Sequence, residues 1–208
     1  DTSVITSGAA TSFTATTGQT VTINRSTSGR KAAAVVGNCW LLGTDDYMEV
    51  ADNALLDFDA DDSFTVLAVV RQWATPTGYP CYAAKRLVGD GSAAGWGLAG
   101  GNANSTVHLY MGDGTDFVDP ASSSVTAGAL SVIGGQVNRT AVTARTFVNG
   151  TLAATTSTTS LGDMTNSRSL LIGSSAYADM ELVAVAVFRS ALNPVQISLI
   201  NDYYQNRL

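Results

Sequence analysis

Between residues 11 and 188 the chain alternates short apolar-rich segments with clusters of Gly, Asn, Asp, Ser and Thr. The apolar segments are rich in β-branched and aromatic residues and keep to strand length, so they predict strands. Residues 11–24, TSFTATTGQTVTIN, read as two strands about a turn at Gly18-Gln19. In YMEV, Tyr47 and Glu49 point one way and Met48 and Val50 the other. SFTVLAVVRQW (63–73) is apolar on both faces, as expected of a central strand covered on each side. CYAAKRLV, GWGLAG, STVHLYMGDG, ALSVIGGQV, TARTFVNGTLAATT, SLLIG and MELVAVAVF continue the series. Within it, Asn149-Gly150 is a hairpin signal, because a type I′ turn needs positive φ at both central positions.

The end of the chain changes period. NPVQISLINDYYQNRL predicts a helix with Asn193 as N-cap and Pro194 at its first position. Val195, Leu199 and then Asp202 or Tyr203 fall near one face, with Ile200 beside them. About ten to twelve short strands closed by one helix predict an all-β, two-sheet sandwich. At 208 residues without repeat or linker, the chain reads as one domain, 1–208, with polar residues 1–30 as a possible peripheral arm.

Composition narrows the partners. Charged residues make up 13% of the chain, the net charge is −6, and the 11 Lys and Arg form no cluster. That argues against nucleic-acid binding. No apolar run reaches the roughly 18 residues of a membrane-spanning helix, so membrane insertion is not expected. Few charges and much Ser, Thr, Gly and Ala fit an exported or virion-type protein. The chain opens at Asp1, which reads as a processed form or a fragment. Cys39 and Cys81 are compatible with a disulfide or with two buried thiols.

Four stretches carry a family resemblance. GTDDYMEVADNALLDFDADDSFTVLAVVR resembles the opening of laminin-G-like domains of the concanavalin A-like lectin/glucanase superfamily. TARTFVNGTLAATT, LLIGSSA and VFRSALNPVQISLI are similar to its later strands and closing helical turn, so the likeness spans about residues 41–204 in order. It implies a jelly-roll of two antiparallel sheets serving as a binding or adhesion module, extracellular or on a virion surface. Two positions depart from the family's habit. Val69 stands where a Trp is typical, and Val183 and Ala184 stand where an acidic pair is typical, which weakens an inherited calcium site.

The candidate chemistry is sparse. Glycosidases of the implied fold use Glu-x-Asp-x-x-Glu or Glu-x-Asp-x-Glu on one strand face; the chain has two glutamates, Glu49 and Glu181, and neither pattern. Asp57, Asp59 and Asp61 have i, i+2 spacing but lie between predicted strands, where solvated turn residues are expected. His108 is the one histidine, and it reads as a strand residue without a catalytic role. No Gly-x-Ser-x-Gly elbow is present, and GDGSAAGWG (89–97) reads as a loop, not a phosphate cradle.

The acids of GTDDYMEVADN (43–53) read as a wetted sheet edge. Calcium remains possible at Asp45 with Asp46, or at Asp113 with Asp116, against the alternative of turn aspartates bonding their own backbone. For a ligand, Trp73 and Tyr79 flank ATPTG, with Asp113, Asn102 and Asn104 as hydroxyl acceptors, a lectin-like set because sugar C–H faces stack on aromatic rings. Trp40 and Trp96 are expected in the core. The expectation is a non-catalytic recognition module with a glycan or cell-surface polysaccharide as ligand. The alternative is a structural component of a virion or surface assembly that makes protein contacts and can form an oligomer. A polysaccharide hydrolase or lyase ranks last.

Overall fold

The computed structural model describes residues 12–14, 20–24, 35–36, 39–42, 47–73, 78–87, 91–101, 106–153, 155–173 and 180–206. Its strands, in chain order, are β1 (Ser12–Thr14), β2 (Thr20–Asn24), β3 (Val35–Val36), β4 (Cys39–Leu42), β5 (Tyr47–Val50), β6 (Phe64–Gln72), β7 (Cys81–Lys85), β8 (Gly95–Gly100) and β9 (Thr106–Gly112). They continue with β10 (Phe117–Val118), β11 (Ala121–Ser124), β12 (Leu130–Asn138), β13 (Thr143–Val148), β14 (Thr151–Leu152), β15 (Thr156–Ser157), β16 (Leu170–Ile172) and β17 (Met180–Phe188). Helix α1 (Pro194–Gln205) follows.

All pairings among these strands are antiparallel. One sheet runs β1-β2-β5-β16-β7-β8-β9-β10, with β11 also on β9. The other runs β14-β13-β12-β6-β17-β4-β3, with β15 also on β13. The fold is the expected two-sheet jelly-roll sandwich with one short helix. Strands distant in sequence sit side by side: β16 lies between β5 and β7, and β17 between β6 and β4.

The central strand β6 shows why the apolar runs are continuous. Phe64, Val66, Ala68 and Val70 enter the core between the sheets, while Leu67 and Val69 enter a second core on the outer face of the eight-stranded sheet. Both sets are apolar because both faces are covered. In the inner core Phe58 stacks on Phe64 at 4.1 Å, and Trp96 closes on both rings at 6.1 and 6.0 Å. The indole N–H of Trp96 donates to the Leu56 carbonyl at 2.9 Å, so its one polar atom is satisfied.

Helix α1 covers the outer core with Ile197, Ile200 and Tyr204, not with the Val195 and Leu199 face. Val69 lies fully buried in that core, and Val183 and Ala184 pack at its margin. The positions where the family habit places an aromatic and an acidic pair are thus apolar packing here. The connection into α1 is clipped to the sheet: Thr65 Oγ1 donates to the Ser190 carbonyl at 2.9 Å and accepts from Leu192 N at 3.0 Å, and the Gln136 amide donates to the Leu192 carbonyl.

The turn and cap signals are realised locally. Asn149 (φ 49°) and Gly150 (φ 77°) make the positive-φ pair between β13 and β14. Asn193 and Gln196 close a capping box at the start of α1. GWGLAG forms β8 as expected, so the loop reading of GDGSAAGWG holds for the described residues 91–94 and ends at Gly95. Gly95 has φ 125°, and a Cβ there would lie 2.0 Å from the Lys85 carbonyl. The glycine is what lets β8 approach β7. The Gly18-Gln19 turn lies outside the described residues. Cys39 and Trp40 are described only as backbone.

Candidate functional site

Strand alternation on β8 and β9 builds a groove on the outer face of the nine-stranded sheet. Trp96 and Leu98, and Val107, Leu109 and Met111, face the core, so Gly97, Ala99, Thr106, His108 and Tyr110 face outward. The register places Ala84 beside Gly97, Gly97 beside Tyr110, and Ala99 beside His108. Small residues on β7 and β8 therefore form a floor next to the large rings of β9. Tyr79, Tyr110, Phe117 and Arg86 form the walls, and Asp119 lies at the edge. The cavity measures about 390 Å³, within the usual size of a small-ligand site.

The wall is ordered by ring contacts. His108 stacks on Tyr110 at 5.2 Å and Tyr110 on Phe117 at 5.9 Å, while Tyr79 meets Tyr110 edge-on at 6.4 Å. The Arg86 guanidinium lies 5.6 Å from the Phe117 centroid and donates to the Gly91 carbonyl at 3.0 Å. Burial, then the neighbouring Asp119 carboxylate and the Tyr79 phenol, push the Tyr110 phenol well above its ordinary pKa, and Arg86 only partly opposes them. Tyr110 therefore presents a neutral hydroxyl throughout the physiological range.

His108 has partners. Its Nδ1 lies 2.9 and 3.1 Å from the two oxygens of Asp119, and its Nε2 lies 2.9 Å from Thr106 Oγ1. The order hydroxyl–imidazole–carboxylate is that of a nucleophile triad. Thr106 and His108, however, are alternate residues of one paired strand and not a strained elbow. The arrangement orients Asp119.

The expected ligand residues divide between the sheets. Tyr79 is half exposed and stands in the groove wall. Trp73, also half exposed, follows β6 of the other sheet, where Arg71 lies 5.9 Å from its ring and pairs with Glu181 at 3.0 Å. Asp179, two residues before Glu181, lies outside the described residues, as do Asn102 and Asn104 between β8 and β9, and Asp45 and Asp46 before β5.

Asp113 sits in the turn after β9 and accepts from three backbone N–H groups, those of Thr115 (2.8 Å), Asp116 (2.7 Å) and Gly162 (2.7 Å). Partial burial raises its pKa, but these donors outweigh that and hold the carboxyl below its ordinary value. The Asp116 carbonyl accepts from Asp113 N, and its side chain is exposed. A calcium ion needs six to eight oxygen ligands. With its oxygens turned to backbone donors, Asp113 does not fit that role. Among the described residues no three His, Cys, Asp or Glu side chains converge as a metal centre.

The other acids anchor loops. Lys85 Nζ, with no side-chain exposure, contacts Asp57 Oδ1 (2.6 Å), Asp52 Oδ1 (2.8 Å) and the Asn166 carbonyl (2.6 Å). Asp57 is thus the partner of a buried cation and not a solvated turn residue. Asp59 accepts from the backbone N–H groups of Asp61 and Asp62, and Asp62 pairs with Arg189 at 2.6 Å.

His108, Tyr110, Phe117, Arg86 and Asp119 were not singled out as ligand residues by sequence. The alternation of STVHLYMGDG carries half of that signal, since it places Thr106, His108 and Tyr110 on the face opposite three apolar residues. Asp119 reaches the site only through the turn after β9, which no spacing rule anticipates.

These features define the class: a jelly-roll sandwich of two antiparallel sheets with an aromatic-walled groove on one open sheet face. A laminin G family model, described as the concanavalin A-like lectin/glucanases superfamily, matches residues 42–198, and the chain belongs to that superfamily. No curated protein matches the sequence. Among solved structures, the binding domain of botulinum neurotoxin serotype G is similar at TM-score 0.71 and 13% identity, over 92% of this chain and 48% of that one. The binding domain of Paraclostridial Mosquitocidal Protein 1 gives 0.71 and 14%, over 89% and 48%. The botulinum neurotoxin serotype D ligand binding domain in complex with N-acetylneuraminic acid gives 0.67 and 11%, over 90% and 47%. The chain spans about half the length of each, and at these identities the likeness is one of fold.

Proposed function

We propose that this domain is a non-catalytic recognition module, extracellular or surface-exposed, that binds a glycan in the groove between Tyr79, Tyr110 and Phe117. The carrying observation is the groove itself: a floor of Ala84, Gly97 and Ala99 beside half-exposed rings, with Asp119 as acceptor at its edge. Apolar ring faces beside a few fixed polar groups match what sugars present. The similar solved structures are binding domains, one of them in complex with N-acetylneuraminic acid, which supports binding as the type of function. Glycoside hydrolysis uses a carboxyl pair about 5–10 Å apart. Among the described lining residues Asp119 is the one carboxylate.

The test is a glycan array read with the wild type and with Ala99→Phe, which fills the floor from the solvent side and leaves the core face untouched. Glycan binding abolished by Ala99→Phe is the expected result; binding to nothing, or binding indifferent to the plug, overturns the reading. Asn102 and Asn104, in the segment joining β8 to β9, belong to the proposal as further acceptors, while Trp73, which follows β6 of the other sheet, does not line the groove.

A second reading, a structural component of a virion or surface assembly, has its own observation. Val195, Leu199 and Tyr203 lie one helical turn apart on α1 and are 67, 63 and 51% exposed. Leu199 and Tyr203 line a cavity of about 330 Å³ together with Ala186, Phe188 and Ile200. Sedimentation separates the two: an oligomer dissolved by Leu199→Glu, with no glycan bound, favours assembly.

A further inference from the structure

We propose that the groove selects uncharged glycans, with Asp119 accepting hydrogen bonds from two adjacent sugar hydroxyls, and that it turns away sialylated and sulfated ones; this rests on the reading of the groove as a glycan site.

Charge is the first argument. Arg86 is the only cation among the described lining residues, and it is 6% exposed: its Nη2 donates to the Gly91 carbonyl, its guanidinium lies against the Phe117 ring, and its Nε and Nη1 are buried away from the groove surface. Asp119 keeps 26% of its side chain exposed. The charge a ligand meets is therefore a carboxylate, on a chain of net charge −6. An anionic sugar would approach like charge at close range and repulsion at long range.

Hydrogen bonding is the second. A carboxylate has about four acceptor positions. His108 Nδ1, 2.9 and 3.1 Å from its two oxygens, supplies one hydrogen and fixes the plane of the group. His108 is itself held by Thr106 at 2.9 Å and by the Tyr110 ring at 5.2 Å. Asp119 is thus a pre-oriented acceptor with positions left over, and neighbouring hydroxyls of one sugar ring are spaced to use both oxygens. The rings of Tyr79 and Phe117 then receive the C–H face of the same sugar. His108 is a positioning residue in this scheme.

The experiment uses matched glycans of one core, with and without terminal sialic acid or sulfate, titrated calorimetrically against the wild type, Asp119→Asn and Ala99→Phe. The neutral member should bind more tightly than its acidic counterpart. Asp119→Asn, whose amide oxygen still faces His108, should weaken the neutral member about ten- to a hundredfold without changing the melting curve. Preference for the acidic member, or neutral binding unmoved by Asp119→Asn, overturns the proposal. The wild-type comparison alone decides the charge preference if the variant does not fold. Acidic binding that Ala99→Phe abolishes would sink this inference while leaving the groove as the glycan site. No binding to either member, or binding that ignores the plug, would sink both.

Discussion

Lys85 has no exposed side-chain surface, yet three oxygens, from Asp57, Asp52 and the Asn166 carbonyl, surround its ammonium at 2.6 to 2.8 Å. One hydrogen for each oxygen makes the site self-sufficient. Removing the cation leaves the half-buried Asp57 carboxylate its contact with the Asn166 N–H at 3.3 Å and no counter-charge from Lys85. Lys85→Met should therefore lower unfolding free energy by about 3 kcal/mol, the low end for a broken buried pair because Asp52 is 42% exposed. Urea unfolding measures it, and a loss below about 1 kcal/mol would remove the anchoring role.

Asp113 yields a pH prediction at the same scale. Its folded pKa is depressed below the unfolded one, so its contribution is present above the ordinary carboxylate range and is lost as pH falls through the folded value. The stability gap between wild type and Asp113→Asn should be full at pH 6 and shrink on acidification below about pH 4. A gap that stays constant or widens contradicts the three N–H contacts as its origin. Neither the Lys85 site nor the His108–Asp119 pair was legible in the sequence. Asp57 and Lys85 are joined only because the segment after β5 folds back over β7, and periodicity describes faces, not partners.

Elements were far more legible, because what defines them is local. The alternation of YMEV, the two-faced apolarity of SFTVLAVVRQW and the Asn149-Gly150 turn each depend on neighbours within a few positions, and each appears where expected. The same holds for Asn193, whose side chain accepts from Gln196 N while the Gln196 side chain accepts from Asn193 N. Asn193→Ala should destabilise by about 1 kcal/mol, measurable as a shift in the denaturation midpoint. What the local pattern could not supply is which face of α1 meets the sheet. Two apolar sets share the helix, and Ile197, not the Val195–Leu199 set, is buried because the Thr65–Leu192 clip sets the angle of entry. Gly134 on β12 likewise gave no sequence signal, yet a Cβ there would lie 2.2 Å from Phe147 Cζ and 2.6 Å from the Val66 carbonyl. Gly134→Ala should cost about 1 to 3 kcal/mol, since the ring has to leave its place in the outer core. A thermal scan of this variant showing no loss would mean that the Phe147 ring is free to move.

At the scale of the whole molecule, β6 couples two cores that would otherwise be independent. Its inward residues hold the sheets together and its outward residues receive α1, so the helix is bound to the strand on which the inner core depends. Ile197 is the helix's fully buried anchor. Ile197→Ala should lower stability by about 2 to 4 kcal/mol through lost burial and a cavity that the rigid sheet beneath cannot close. The loss should also be felt globally. Thr65, Gln136 and Leu192 tie the base of the helix to β6 and β12, so loosening α1 exposes hydrogen-bonding groups of the central strands. Denaturation of the variant should remain one transition, with far-UV circular dichroism, which follows strands and helix together, coinciding with fluorescence recorded in a Trp40→Phe, Trp73→Phe background, where Trp96, buried in the inner core on the other side of β6, is the reporter. If the circular dichroism changes first while Trp96 stays native, α1 is an appendage that unfolds alone, and the coupling through β6 is wrong. Coincident curves at reduced stability would show instead that the groove sheet and the helix sheet stand or fall as one body. In that case a plug, a cap or an anchor variant can be compared for ligand binding at any denaturant concentration below the common transition.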